Sequence, residues 1–231
     1  MTLLFAPQPP VLASTSDGHD YPVRRLFCIG RNYADHAKEM GVEVDREAPF
    51  YFTKWAETVV PSGPIAYPPM TGNYHYEAEL VVAIGKGGRD IPADQATAHI
   101  YGYATGLDMT RRDLQLEARG KGRPWDAGKN VEQSSPLGII HPIGETGELT
   151  AGAILLTVNG VIRQQADLRD LIHSVPELVA FLSRAYRLEP GDLIYTGTPA
   201  GVGAVVPGDE IVVSIDGLTD TKVTITTAAH G

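Results

Sequence analysis

The chain has 231 residues, with 28 acidic against 19 basic side chains and a formal charge of -9, long enough for one large domain or two small ones with a proper core. That charge balance, without long runs of like charge, excludes a nucleic-acid-coating protein, and no apolar stretch approaches the ~20 residues that span a bilayer. A single cysteine, Cys28, excludes an internal disulfide and fits a reducing, cytoplasmic setting.

Residues 1–19 read as an extended N-terminal lead-in, because Pro7, Pro9 and Pro10 break the apolar start and no basic segment of the signal-peptide kind precedes it. Residues 20–231 read as one folded domain, with no internal repeat and no low-complexity linker. The 25 glycines and 17 prolines imply many turns, so short strands should outnumber helices. Leu26 to Ile29 predicts a buried strand closed by Gly30, and Tyr33 to Met40 a short helix left at Gly41. Glu77 to Ile84 has strand character and is stopped by Gly85, Gly87 and Gly88; Tyr101 to Asp108 predicts another strand. Ile154–Val158 and Val161–Gln164 flank Asn159-Gly160, a two-residue hairpin signal, because both turn residues tolerate positive φ. Ser174 to Tyr186 is the best helix: Ser174 and Glu177 form a capping box around Pro176, and Val175, Leu178, Val179 and Leu182 make one apolar stripe. Ile211, Val213 and Ile215, a turn at Asp216-Gly217, then Val223 and Ile225 alternate with polar residues as an antiparallel pair with one wet face. The fold class is α+β, mainly β.

Chemistry begins at Glu77 and Glu79. Two carboxylates one residue apart on a strand share a face and repel unless a cation lies between them, although the same pair also suits the solvated face of an amphipathic strand. Asp108, an acid at the end of a second apolar strand, favours the cation, and three carboxylates without a nearby cysteine argue for Mg²⁺, Mn²⁺ or Ca²⁺ rather than zinc. His75 extends the run to His-x-Glu-x-Glu and is a candidate fourth ligand or a structural histidine. Arg112 and Gln115 are spaced to share a helical face, and Lys129 follows a turn-rich stretch that could carry it over a cavity; each also reads as ordinary surface. His36 and Glu39 have the same three-residue spacing, the pattern of an acid-oriented histidine acting as general base or of a common helix-surface pair.

Taken together, Cys28-Ile29-Gly30-Arg31-Asn32-Tyr33-Ala34-Asp35-His36, Tyr76-Glu77-Ala78-Glu79-Leu80, Leu107-Asp108 through Gln115, Pro124-Trp125 with Lys129, and Tyr195-Thr196-Gly197-Thr198-Pro199-Ala200-Gly201-Val202-Gly203 occur in an order that resembles the fumarylacetoacetate hydrolase superfamily. The resemblance covers residues 20–228 and is strongest to the short acylpyruvase and fumarylpyruvate hydrolase branch. It implies a mixed β-sandwich roll of the fumarylacetoacetate hydrolase C-terminal domain type, with residues 20–231 as the catalytic domain. It implies Glu77, Glu79 and Asp108 as ligands of Mg²⁺ (or Mn²⁺ or Ca²⁺), and His36 with Glu39 as the water-activating dyad. Lys129, Arg112 and Gln115 are then expected at the substrate and the developing oxyanion, Thr198 at its carboxylate or keto end, and Arg31 and Lys54 at basic positions near the pocket. Lys54 and Trp55 are the candidates for reading a distal carboxylate. The implied reaction is hydrolysis of the C–C bond of an acylpyruvate, fumarylpyruvate foremost, by a homodimer acting on a small keto acid; oxaloacetate decarboxylation or keto-enol isomerisation at the same metal site is the alternative.

Overall fold

The computed structural model describes residues 3–39 and 48–227, leaving aside the side chains of 37–39. Its centre is a six-stranded sheet, ordered His141–Pro142, Ile100–Leu107, Ala78–Ile84, Asp192–Tyr195, Arg25–Gly30 and Phe50–Lys54. Only Asp192–Tyr195 and Arg25–Gly30 run parallel in it. A five-stranded sheet, Val161–Asp167, Ala153–Val158, Glu210–Ile215, Thr221–Thr226 and Gly63–Ala66, covers one face. Between the two lies the main core, with Phe27, Leu80, Val82 and Ile194 from the central sheet against Ile154, Leu156, Ile211 and Val213 from the outer one.

The other face of the central sheet closes a second, smaller core around Leu26, Cys28, Val81, Ala83, Leu193 and Tyr195. Alternation explains why strand Ala78–Ile84 is buried at every position: Leu80, Val82 and Ile84 point into the first core, Val81 and Ala83 into the second. Each of the Leu, Val and Ile side chains contributes about 1.5–3 kcal/mol on burial, and burial on both faces is what the uninterrupted apolar run encodes.

The local signals form as expected. Asn159 (φ 52°) and Gly160 (φ 75°) make the hairpin turn between Ala153–Val158 and Val161–Asp167. The helices are α1 (Ala34–Glu39), α2 (Arg112–Gly120), α3 (Asp126–Lys129), α4 (Ile143–Thr146) and α5 (Val175–Ala185). At the start of α5 the Ser174 amide donates to the Glu177 carboxylate at 2.8 Å, and Val175, Leu178, Val179 and Leu182 are buried in the main core. The end of the first predicted helix, Met40 and Gly41, lies outside the described residues. Among the described residues no helix is long and apolar enough to cross a membrane.

Two segments differ from expectation. Residues 3–10 are exposed, but Val11–Ser14 pairs antiparallel with Asp20–Val23, so a division at residue 19 falls inside a hairpin. Ala13, Tyr21 and Val23 cap the second core, and the Ile140 amide fastens the hairpin by donating to the Ser14 carbonyl at 2.9 Å. The stretch expected as a strand over Glu77–Ile84 forms from Ala78, and a break at Glu77 separates it from a short strand before it. Before the break, Tyr74–Tyr76 belongs to a small sheet with Thr110–Arg111 and Gly203–Val205; after it, Ala78–Ile84 belongs to the central sheet. The chain changes sheets at the first acid of the Glu-x-Glu pair.

Candidate active site

The three acids converge at that change of sheet. Glu79 is the second residue of strand Ala78–Ile84 and shares the face of Val81 and Ala83, Glu77 occupies the break, and Asp108 is the first residue past strand Ile100–Leu107. The Asp108 amide donates to the Glu77 carbonyl at 2.9 Å, locking the two strand ends together. One carboxylate oxygen from each of Glu77, Glu79 and Asp108 lies within 4.8 Å of the others, and all three residues are buried. The bland alternative of a solvated strand face is thereby removed.

Cations surround this cluster. The Lys129 ammonium, delivered by α3, donates to Glu77 at 2.8 Å, Asp108 at 2.6 Å and the Thr110 hydroxyl at 2.7 Å, and rests 4.8 Å from the centre of the Phe52 ring. Arg112 and Gln115 share a face of α2 as their spacing predicts: one guanidinium nitrogen of Arg112 donates to Glu77, the other to the Gln115 side-chain oxygen at 2.5 Å. Lys54 differs from expectation. Its ammonium is buried behind Asp108, donating to that carboxylate at 2.9 Å and to the Ser134 carbonyl at 2.7 Å, and it does not line the cavity. Strand Phe50–Lys54 is the edge of the central sheet, and its register opposite Leu26 turns Lys54 toward the second core, where Asp108 neutralises it.

The acids are therefore unequal. Burial acts to raise the Glu77 carboxyl, but the Lys129 and Arg112 charges override it and hold the group well below the ordinary carboxylate range. For Glu79 the balance is reversed: burial, with the Asp108 and Glu77 charges added, pushes its carboxyl well above the ordinary range, against the pull of the Gly197 amide that donates to it at 2.7 Å and of the Lys129 charge. Lys129 is held charged above its usual value, the two carboxylates outweighing burial.

The cavity over the acids has a volume of about 40 Å³ and is lined by His36, Glu77, Glu79, Asp108, Arg112 and Lys129, among others. Arg31, Gln115 and Thr198 also face it. His36 is buried on α1; the side chain of Glu39, its expected partner, lies outside the described residues. Thr198 is held by Gln164, whose amide nitrogen donates to its hydroxyl at 2.8 Å and to the Pro199 carbonyl at 2.7 Å. His75 pairs with Asn73 at 2.8 Å and is not part of the carboxylate group.

Three positions went unread in the sequence. Gly197, at φ 103°, turns its amide onto Glu79, and a Cβ there would stand 2.7 Å from that of Asn32. Asn32 is fully buried and ties α1's approach to two distant loops, donating to the Thr196 and His173 carbonyls and accepting from the His173 amide. Gln164 lies on the predicted hairpin, where its period gives no hint that it reaches Thr198. The available signal was an Asn and a Gly inside motifs already singled out, each polar or flexible where a strand ends.

The site fits a hard divalent cation. The donors are all oxygens, and Glu79 is a buried carboxylate close to two other acids that, among the described residues, has no basic side chain hydrogen-bonded to it. Three carboxylates meet three basic side chains, so a bound divalent ion leaves a positive excess that suits an anionic ligand. Residues 25–226 match the fumarylacetoacetate (FAA) hydrolase C-terminal family. The chain belongs to this family. Among its relatives, a fumarylpyruvate hydrolase of Ralstonia sp is 54% identical over 189 residues, covering 80% of this chain and 98% of that protein. A mitochondrial oxaloacetate tautomerase of Rattus norvegicus is 41% identical over 196 residues, covering 84% and 88%. The crystal structure of a fumarylpyruvate hydrolase from Pseudomonas aeruginosa, in complex with Mn²⁺ and pyruvate, superposes with a TM-score of 0.96 at 51% identity, covering 98% of this chain and 100% of that one. The mainly β roll expected from the motifs is the family fold, and the acid trio is a group that could hold a divalent ion.

Proposed function

We propose that this chain is a divalent-metal-dependent hydrolase of the C–C bond in acylpyruvates, with fumarylpyruvate the leading substrate and fumarate and pyruvate the products. The observation that carries it is the single cavity in which three buried carboxylates, an imidazole and two fixed cations face one another. The likeness to the Ralstonia and Pseudomonas aeruginosa fumarylpyruvate hydrolases supports the choice of substrate.

In this reading Glu77, Glu79 and Asp108 hold the ion, which supplies Lewis-acid stabilisation to the 2-keto acid end and the departing enolate. His36, positioned by α1 and oriented by Glu39, takes a proton from water as the oxygen adds to the acyl carbonyl carbon. The bond from that carbon to the methylene breaks, its electron pair passes into the pyruvate fragment as an enolate, and His36 returns the proton to the methylene carbon. The acyl group leaves as a carboxylic acid. All three Lys129 donors are engaged, so Lys129 acts as a fixed positive charge, with Arg112 beside it, against the charge that develops on oxygen. Gln115 and Thr198, held by Arg112 and Gln164, fix the keto-acid end.

The test is release of pyruvate from fumarylpyruvate and acetylpyruvate with Mn²⁺ or Mg²⁺ and after chelation. Turnover that requires the ion is expected; no pyruvate from either compound with the ion present removes the reading. The relatives named oxaloacetate tautomerase give a second reading, keto-enol interconversion of oxaloacetate, in which His36 moves a proton without adding water. Oxaloacetate assayed alongside separates the two. A homodimer, a cytoplasmic location and a role in aromatic catabolism complete the proposal; sedimentation at micromolar concentration tests the first.

A further inference from the structure

Strand Val161–Asp167 has its polarity inverted. Val161 and Ile162, at the tip of the hairpin, are 53% and 56% exposed, whereas Gln164 is 1% exposed. Side-chain amides are mostly exposed, and a buried one has to be paired, so an amide buried where apolar neighbours are not points to a specific task. The pairing with Ala153–Val158 shows how Gln164 gets there. Gln164 stands opposite Leu156 and Ile162 opposite Thr157, which leaves Arg163 as an extra residue, a β-bulge. Ala166 and Gln164 therefore lie on the side of Ile154 and Leu156, which are buried in the main core, while Ile162 stays outside. The loop after Thr198 rests directly on the bulge: Gly201, at φ 98°, comes so close that a Cβ there would stand 2.0 Å from the Arg163 carbonyl oxygen.

The two ends of the Gln164 amide are told apart by its backbone partners. The Ala78 N–H can only donate, and it reaches the side-chain oxygen at 3.0 Å; the Pro199 carbonyl can only accept, and it lies 2.7 Å from the side-chain nitrogen. The second hydrogen on that nitrogen goes to the Thr198 hydroxyl at 2.8 Å. An amide nitrogen donates and does not accept. The Thr198 oxygen is thus the acceptor in this bond, and its own hydrogen must be directed away from Gln164. Thr198 is buried and lines the cavity over the acids. Ala78 lies between Glu77 and Glu79, so one amide fastens the acid-bearing strand end and the loop that carries this hydroxyl.

We propose that Gln164 is a positioning residue that commits the Thr198 hydroxyl to donate into the cavity, so that this wall recognises an oxygen that only accepts, the carboxylate or keto oxygen of a 2-keto acid. The proposal rests on the keto-acid reading of the site and adds the residue that sets the direction of recognition. A free hydroxyl rotates and serves donors and acceptors alike; one that already receives a hydrogen bond from behind is set for an acceptor before the ligand arrives.

The test is a double-mutant cycle, read by calorimetry of pyruvate binding to the Mn²⁺-loaded enzyme. Thr198→Val and Gln164→Met should each weaken binding by about tenfold or more, the loss of a directed hydrogen bond to a charged group, and Thr198→Ser, which keeps the hydroxyl, should bind nearly as the wild type does. Gln164→Met added to Thr198→Val should weaken binding no further, because no hydroxyl remains to be directed. Equal losses in the two backgrounds, or a Gln164→Met enzyme that binds pyruvate as the wild type does, overturn the proposal. Neutron diffraction of the unsubstituted enzyme decides the same point should Gln164→Met not fold: a Thr198 deuteron on the cavity side supports the proposal, and one aimed at Gln164 overturns it. Failure of the hydrolase reading is separately visible as a wild type that cleaves neither acylpyruvate, and the position of the deuteron then still decides the role of Gln164.

Discussion

The two walls of the pocket are built by opposite means. On the inner wall, Glu77, Glu79, Asp108, Arg112 and Lys129 project from strand ends and helix ends packed on a double core, with Lys54 behind Asp108, and every one is buried. On the outer wall, Phe50, Arg119, Arg123 and Trp125 come from a sheet edge, the end of a helix and a loop, and are half-buried or exposed. Charges on the inner wall are almost without water, whereas those on the outer wall remain partly exposed to it. The difference teaches that a change on the inner wall disturbs the packed sheet, whereas a change on the outer wall disturbs it less.

The contrast is broken most sharply at Asp108. Asp108→Ala leaves the Lys54 and Lys129 ammonium groups buried without their shared partner, and breaking buried pairs of this kind costs about 3–5 kcal/mol. Calorimetric melting should therefore fall by roughly 10 °C, along with divalent binding, and Lys54→Met should recover part of the stability but none of the binding. His36→Ala comes next: kcat should fall about 10²- to 10⁴-fold, while divalent affinity by titration calorimetry is retained, because no carboxylate is touched. Gly197→Ala is a backbone test of the same wall. Its φ of 103° and the Asn32 contact at 2.7 Å predict a loss of about 1–3 kcal/mol in urea unfolding and weaker ion binding through Glu79. The smallest effect belongs to the outer wall. Phe50→Ala removes one edge-on ring contact from a 42% exposed side chain and should cost about 0.5–1.5 kcal/mol or less; a larger loss in urea unfolding would mean that the walls are not energetically distinct.

Elements whose determinants lie within a few residues are legible in the sequence. The Asn159-Gly160 turn needs positive φ at both positions and has it, and the Ser174–Glu177 cap stands where the pattern predicts. The acid trio was legible as three carboxylates at strand positions, but not the break at Glu77, because the partner of Tyr74–Tyr76 is Gly203–Val205, far along the chain. Lys54 misled for a related reason. A lysine near a strand end reads as accessible, and only the pairing of Phe50–Lys54 with Arg25–Gly30 shows that it faces inward.

Cys28 offers a use unrelated to catalysis. The only cysteine of the chain is fully buried in the second core, beneath the hairpin of Val11–Ser14 and Asp20–Val23, and burial pushes its thiol up, away from the reactive thiolate. An alkylating reagent should reach it only when the central sheet parts from that hairpin. The rate of labelling under native conditions thus times the opening of the wall behind the acid trio, read at one sulfur.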